Sequence, residues 1–255
     1  CSHVPFDRAQ TAALAHGSGM PSLPGGPLHN EPLTWRRQVQ PLAKPEQGRD
    51  RLAALAQYRE RAGSYDLELA PFEWFRRKAI ARLALRRGDV VLDLGCGTGL
   101  SLEQLRQGVG ARGRIIGVEQ CPEMLAQAHQ RVLRNHWRNV TLLCAPAEAA
   151  ELPGLANAAL FLFTHDILRR SQALDNVVRH LEPGARVVAA GLKWAGLWAL
   201  PVNLFVWGAA RYSVSSLEGL QRPWDLLAAR CGRLDVENLL LGGLYIASGR
   251  LDHID

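Results

Sequence analysis

Three glycines spaced G-x-G-x-G, Gly95, Gly97 and Gly99, follow directly on the apolar run Asp89–Leu94. Where a strand hands over to a helix, missing Cβ atoms let a bulky ligand approach the backbone, and the first helical N–H groups face it. The turn gains meaning from Glu119, the next acidic residue after the second apolar run, Ile115–Val118. A carboxylate at that strand end can accept both hydroxyls of a ribose. Alone, Glu119 reads more readily as a solvated strand-end residue; with the glycine turn it specifies a nucleoside ligand. The spacing differs from the G-x-G-x-x-G of dinucleotide sites, whose third glycine permits close helix packing around a pyrophosphate. A third constellation is Phe161–Asp166. His165 there could serve as a general base, since an imidazole titrates near working pH, or stand as a structural histidine beside the site. Asp166 could orient His165, bind a cationic amine, or cap a helix beginning near Ile167.

These residues need a scaffold that brings strand ends together, and the rest of the sequence supplies one. Strands are expected at Asp89–Leu94, Arg114–Val118, Val140–Leu143, Ala158–Phe163 and, after the turn Glu182-Pro183-Gly184, Ala185–Ala190. Helices are expected at Leu100–Gln107 and Pro122–Arg134, with Pro122 suited to a first helical turn. Alternation of this kind implies right-handed crossovers and an open parallel sheet with helices on both faces. Two strand-like runs, Leu234–Leu241 and Gly243–Ser248, predict a closing antiparallel hairpin. The fold class is thus α/β, a Rossmann-like, doubly wound seven-stranded sheet, parallel except at its end. Helices from Arg49 and over Ala70–Leu85 precede the first strand. Residues 1–48, rich in Pro, Gly, His and Ser, read as a tail, and residues 49–255 as the domain.

With 255 residues, 47% of them apolar and 21% charged, the chain suits one sizeable folded domain. Its net charge of +6 is carried by scattered arginine pairs such as Arg76-Arg77 and Arg169-Arg170. No aromatic-interleaved basic stripe accompanies them, so nucleic acid is not the expected partner. Five cysteines without CxxC spacing argue against a disulfide framework and against a metal site. Reduced thiols point to the cytoplasm. The sequence opens at Cys1 without a preceding apolar stretch, and a trimmed or incompletely recorded N-terminus is expected rather than a cleaved lipoprotein signal. The longest apolar stretch, Ala195–Ala210, is interrupted by Pro201 and Asn203 and falls short of the ~20 residues a spanning helix needs.

Val91–Gly99 resembles motif I of class I S-adenosylmethionine (SAM)-dependent methyltransferases, and Glu119 matches that family's ribose carboxylate. Ala145–Pro153 is similar to its adenine loop, although the loop's acid is usually Asp. Glu182-Pro183-Gly184 resembles the turn before strand five. The resemblance runs from about Tyr65 to Gly249. It implies SAM as cofactor, with Asp93, Gly95, Cys96 and Gly97 at its amino acid part, Glu119 and Gln120 at the ribose, and Met124 over the adenine. Ala147 and Glu148 would meet the exocyclic amine, Thr164 would close the strand-end side, and Tyr65 would fold over the ligand.

A sulfonium makes the transferred methyl intrinsically reactive, so the protein mainly has to align a nucleophile and exclude water. His165 and Asp166 are the catalytic candidates, and the acceptor is expected to be a small apolar or amphiphilic molecule methylated on nitrogen or oxygen. Residues 193–224, with Trp194, Trp198, Phe205, Trp207, Tyr212 and Trp224, are expected either to cover the acceptor or to pack on the core or a second subunit. Peripheral membrane contact and a homodimer are the partner expectations that follow. The rivals are a non-catalytic SAM-binding regulatory protein and a nicotinamide-dependent reductase on a similar sheet.

Overall fold

The computed structural model describes residues 36–37, 70–195, 203–204 and 219–252, all within the compact unit Leu33–Asp255. Its strands are Arg36–Arg37 (β1), Val90–Leu94 (β2), Arg114–Glu119 (β3), Val140–Cys144 (β4), Ala156–Leu162 (β5), Leu181–Leu192 (β6), Asp235–Leu239 (β7) and Leu244–Arg250 (β8). The helices are Glu73–Arg82 (α1), Leu102–Val109 (α2), Pro122–Arg134 (α3), His165–Leu168 (α4), Ser171–Val178 (α5) and Asp225–Cys231 (α6).

The strands form one sheet in the order β1-β4-β3-β2-β5-β6-β8-β7, parallel throughout β1 to β6 and antiparallel at β8 and β7. The seven strands expected from the sequence are all present. The eighth, β1, pairs with Leu143 and Cys144 at the sheet edge and falls inside residues 1–48, where no element was expected. The rest of that stretch, the expected helix from Arg49, and Tyr65 lie outside the described residues.

The doubly wound form follows from the strands' composition. β2 is Val-Val-Leu-Asp-Leu and is buried along nearly its whole length, as a strand covered on both faces must be. Leu92 and Leu94 join a core with Ala173, Leu174 and Val177 of α5 and Leu227 of α6. Val91 faces the opposite core with Phe75 and Ile80 of α1, Leu105 of α2 and Leu125 and Ala128 of α3. The chain leaves β2 toward β3 and β4, then returns to β5 on β2's other flank. That reversal opens a crevice beyond the carboxyl ends of β2, β3 and β5, where open α/β sheets bind ligands.

Candidate functional site

The glycine turn is built by its neighbours. Gly95 N–H and Cys96 N–H both donate to Val118 O, at 2.7 and 3.1 Å, so the loop after β2 folds back over the end of β3. Gly95, Gly97 and Gly99 all take positive φ (69°, 56° and 81°), a region open to glycine at little cost. A Cβ at Gly99 would come within 2.7 Å of Leu102 Cδ1, and one at Gly95 would overlap Thr164 Cγ2. Gly95 and Gly99 are therefore demanded by conformation and by space together, and Gly97 by conformation.

Glu119, at the end of β3, bonds the turn. Its Oε2 accepts from Gly97 N–H at 3.1 Å and its Oε1 from Cys121 N–H at 2.8 Å. Burial raises its pKa, and the N–H groups of Cys121, Gly97 and Gln120 pull it back. A carboxylate offers about four acceptor positions, so these three N–H groups leave it room for a further donor. Glu119 lines a solvent-open crevice together with Gly95, Gly97, Gln120, Met124, Ala147, Glu148, Thr164 and Asp166.

A smaller recess continues past the turn, bounded by Arg76, Asp93, Cys96, Thr98 and Ser101. Asp93 is 2% exposed. Burial pushes its carboxyl up to about 7, while the Arg76 guanidinium lowers it and Glu119 adds to the rise. Its Oδ2 has no hydrogen-bond partner among the described residues, and neither has Thr164 Oγ1. Crevice and recess share Gly95, Gly97, Leu162 and Phe163, and so read as one continuous site bent around the turn.

The two catalytic candidates part company. Asp166 lines the crevice. His165, which is buried, does not; it lines an apolar cavity with Phe163, Leu192, Leu220 and Tyr245. Between them, Phe163 borders crevice, recess and cavity alike. Its φ of 57° is unusual for an aromatic residue. It is held there by its N–H on Ala190 O at 2.8 Å and by edge and tilted contacts with Phe72 and Phe75.

The adenine-loop region differs in detail from the expectation. Glu148 lines the crevice, but its Oε1 accepts from Arg170 Nη1 at 2.8 Å, an ion pair that the sequence does not announce. The loop is fixed from beneath by buried Asn176, whose Nδ2 donates to Ala147 O at 2.8 Å and Ala150 O at 2.9 Å. Asn176→Ala orphans two carbonyls, which costs about 1–3 kcal/mol. A lowered thermal midpoint with weaker crevice binding is the expected outcome, read by calorimetry.

Of the 193–224 segment, only parts are described. Trp224 packs at 4.8 Å on Tyr245 in the core, and Trp194 packs against the opposite core. These two therefore take the packing role rather than the covering one; Trp198, Phe205, Trp207 and Tyr212 lie outside the described residues. Arg76, Phe163, Ile167 and Arg170 were not anticipated as site residues. Arg76 did leave a trace in the sequence, because it stands on the same helical stripe as Phe72, Phe75, Ala79 and Ile80, where a charge is out of place unless a site uses it.

Residues 91–184 match the family described as "Methyltransferase domain". The chain is similar to an arsenite methyltransferase of Halobacterium salinarum, with 32% identity over 43% of this chain and 28% of that protein. It is also similar to a demethylmenaquinone methyltransferase of Desulfitobacterium hafniense, with 27% identity over 69% of this chain and 79% of that one. The chain spans about half or less of the length of most curated relatives it matches. Among solved structures, a SAM-dependent methyltransferase from Aquifex aeolicus shares the fold at TM-score 0.55 and 21% identity, covering 76% of this chain and 98% of that one.

Proposed function

We propose that this chain, which matches a methyltransferase domain over residues 91–184, is a class I SAM-dependent methyltransferase that transfers a methyl group from SAM to a small apolar or amphiphilic acceptor, on nitrogen or oxygen. The observation that carries the reading is the meeting of Glu119 with the Gly95–Gly99 turn at the wall of the crevice. The residues present fit the cofactor. SAM brings an ammonium group and two ribose hydroxyls, all donors, to a site whose walls hold the orphaned acceptor Asp93 Oδ2 and the open acceptor positions of Glu119.

When bound, SAM supplies a methyl group on a sulfonium, activated without help from the protein. The chain's own residues bind and orient. Glu119 and Gln120 hold the ribose, Met124 and Ala147 enclose the adenine, and Gly95, Cys96 and Gly97 leave room for the amino acid part with Asp93 and Arg76 behind them. Arg170 holds the Glu148 carboxylate at the crevice wall, which sets that wall's shape. Asp166, on the crevice, is placed to receive a proton from an acceptor nitrogen or oxygen or to bind a cationic amine. His165 faces the neighbouring apolar cavity, where an acceptor's apolar body would meet it. The domain contains no helix, among the described residues, long and apolar enough to cross a membrane. Use of SAM suits the cytoplasm, and an amphiphilic acceptor suits contact with a membrane surface.

Calorimetric titration with SAM, S-adenosylhomocysteine (SAH) and NADH tests the assignment. Binding of the first two and not the third is expected; NADH binding alone would point to a reductase. Transfer of labelled methyl from SAM onto a panel of quinols, phenols and amines follows. Tight SAM binding with no transfer to any acceptor would favour a regulatory protein.

Protonation offers a second check. Asp93 holds its proton more tightly in the folded chain than in the unfolded one, because burial lifts its carboxyl from 3.8 to about 7. Its contribution to stability is therefore full below the unfolded value and is lost as pH rises toward the folded one. An ammonium group arriving beside it favours the ionised form. SAH binding near neutral pH is expected to release a proton, seen as a heat that varies with the buffer's ionisation enthalpy. Asp93→Asn should abolish that dependence and make the free protein more stable at pH values above about 7.

A further inference from the structure

The antiparallel hairpin that closes the sheet ends in a turn whose chemistry is at odds with its conformation. Leu239 of β7 pairs with Leu244 of β8, and Leu240 and Leu241 between them both lie in the left-handed region, at φ 48° and 53°. A Cβ is disfavoured there, and turns that need consecutive positive φ ordinarily use Asn and Gly. The two leucines are also 48% and 65% exposed, and neither joins the two apolar cores. The domain thus places bulky apolar side chains where the backbone least favours them and leaves them in water. Strain of this kind persists where it serves something outside the fold.

The turn does not stand alone. Leu192, at the end of β6, pairs with Leu244, so the tip projects from the same sheet edge onto which the crevice opens. A Cβ at Gly242 would lie 3.6 Å from Ala195, and Ala195 N–H donates to Asn203 Oδ1 at 2.8 Å. Lys193 Nζ sits beneath the tip, donating to Gly242 O at 3.1 Å and Trp194 O at 3.0 Å. Leu239–Gly243 and Lys193–Ala195 contain no acid. The acidic residue nearest the tip along β7, Glu237, is neutralised by Lys78 and by Arg82 at 2.6 Å.

We propose that the Leu240–Leu241 tip, based on Lys193, is a wedge that inserts into the surface of an anionic lipid bilayer. A few leucines on a projecting turn offer far less area than the roughly 1,000 Å² a stable protein partner needs, whereas a bilayer accepts a narrow apolar point. The chain's net charge of +6 draws it to an anionic surface, and a cation at the wedge's base meets the headgroups. The wedge stands on the hairpin by itself. Its use, presenting the crevice to an amphiphilic acceptor held in the membrane, rests on the function proposed above.

Flotation of the full chain with vesicles of phosphatidylcholine, with and without phosphatidylglycerol, tests this. The protein is expected to float with the anionic vesicles, less with the neutral ones, and less again as salt rises. Leu240→Asn with Leu241→Gly should cut partition more than about tenfold. It should not lower the thermal midpoint, since both new residues adopt positive φ readily, and SAH affinity should be unchanged. Leu241→Asn alone, at the more exposed position, gives the same reading should the pair disturb folding. Failure of the unaltered chain to float with anionic vesicles, or equal flotation of the variants, overturns the proposal. So does a concentration-dependent dimer that the variants dissolve without any flotation, which would give the tip to a second copy. Loss of SAH binding by the unaltered chain, with flotation intact, would sink the methyltransferase reading and leave the wedge standing.

Discussion

Replacing Glu119 by alanine is expected to weaken SAH binding by roughly two to four orders of magnitude while leaving a folded protein. The carboxylate stands beside Gly97 N–H and Cys121 N–H, one on each oxygen, which fixes its orientation before any ligand arrives. Two ribose hydroxyls donating to such a fixed anion are charge-assisted bonds, each worth about 1.5–3 kcal/mol. Both are lost in Glu119→Ala. The effect on the free protein is smaller, because two opposing changes meet there. Removal relieves a carboxylate that burial disfavours, and it orphans two N–H groups that water in the opened space can reach. Glu119→Gln separates charge from shape. It keeps the size and one acceptor oxygen, so an intermediate loss is expected. Calorimetry with SAH on the three proteins, alongside their thermal midpoints, checks the order; unchanged affinity in Glu119→Ala would remove the site from this crevice.

Gly95→Ala is expected to abolish measurable SAH binding and to destabilise the fold by about 2–4 kcal/mol. Two costs coincide at this residue. Its φ of 69° disfavours any Cβ by about 1–2 kcal/mol, and the added methyl overlaps Thr164 Cγ2, with Ile167 Cδ1 at 3.4 Å behind it. Relief requires the β5–α4 connection to move, which displaces Thr164, Asp166 and Phe163 from the crevice they line. Combining the change with Thr164→Ser removes the offending methyl while keeping the hydroxyl. The double variant should regain part of the stability and some binding, the remainder being the backbone strain that no neighbour can lift. Full affinity in Gly95→Ala alone would mean that the turn does not pack as described, and no rescue by Thr164→Ser would mean that the overlap is not the cause.

Much of the frame was legible in the chain itself because it rests on local periodicity. Pro122–Arg134 begins and ends as a helix where proline at a first turn and the apolar spacing place it. Strands β2 to β6 fall within a few residues of their expected bounds, with β6 running longer and taking in the Glu182-Pro183-Gly184 turn. The glycine turn and the carboxylate at the end of β3 could be joined without a structure because the register of adjacent parallel strands sets Leu94 beside Val118. A strand–turn–helix unit carries its ligand-facing residues at fixed offsets from its own end.

What the tertiary structure alone decided concerns groups far apart in the chain or one residue apart on a turn. The Arg170–Glu148 pair, the hold of Asn176 on the Ala147–Ala150 loop, and the approach of Arg76 to Asp93 all depend on where crossover helices land on the sheet, which no local pattern records. His165 and Asp166 are neighbours in sequence, yet one faces an apolar cavity and the other the crevice, because the left-handed turn at Phe163 re-aims the chain as it leaves β5. Likewise, leucines 240 and 241 read as ordinary strand residues until the hairpin turn exposes them. The sequence determined which residues form each element and which ends carry glycine and carboxylate; packing of those elements decided which side chains meet, since helix placement and the direction of a single turn are set by contacts between distant segments.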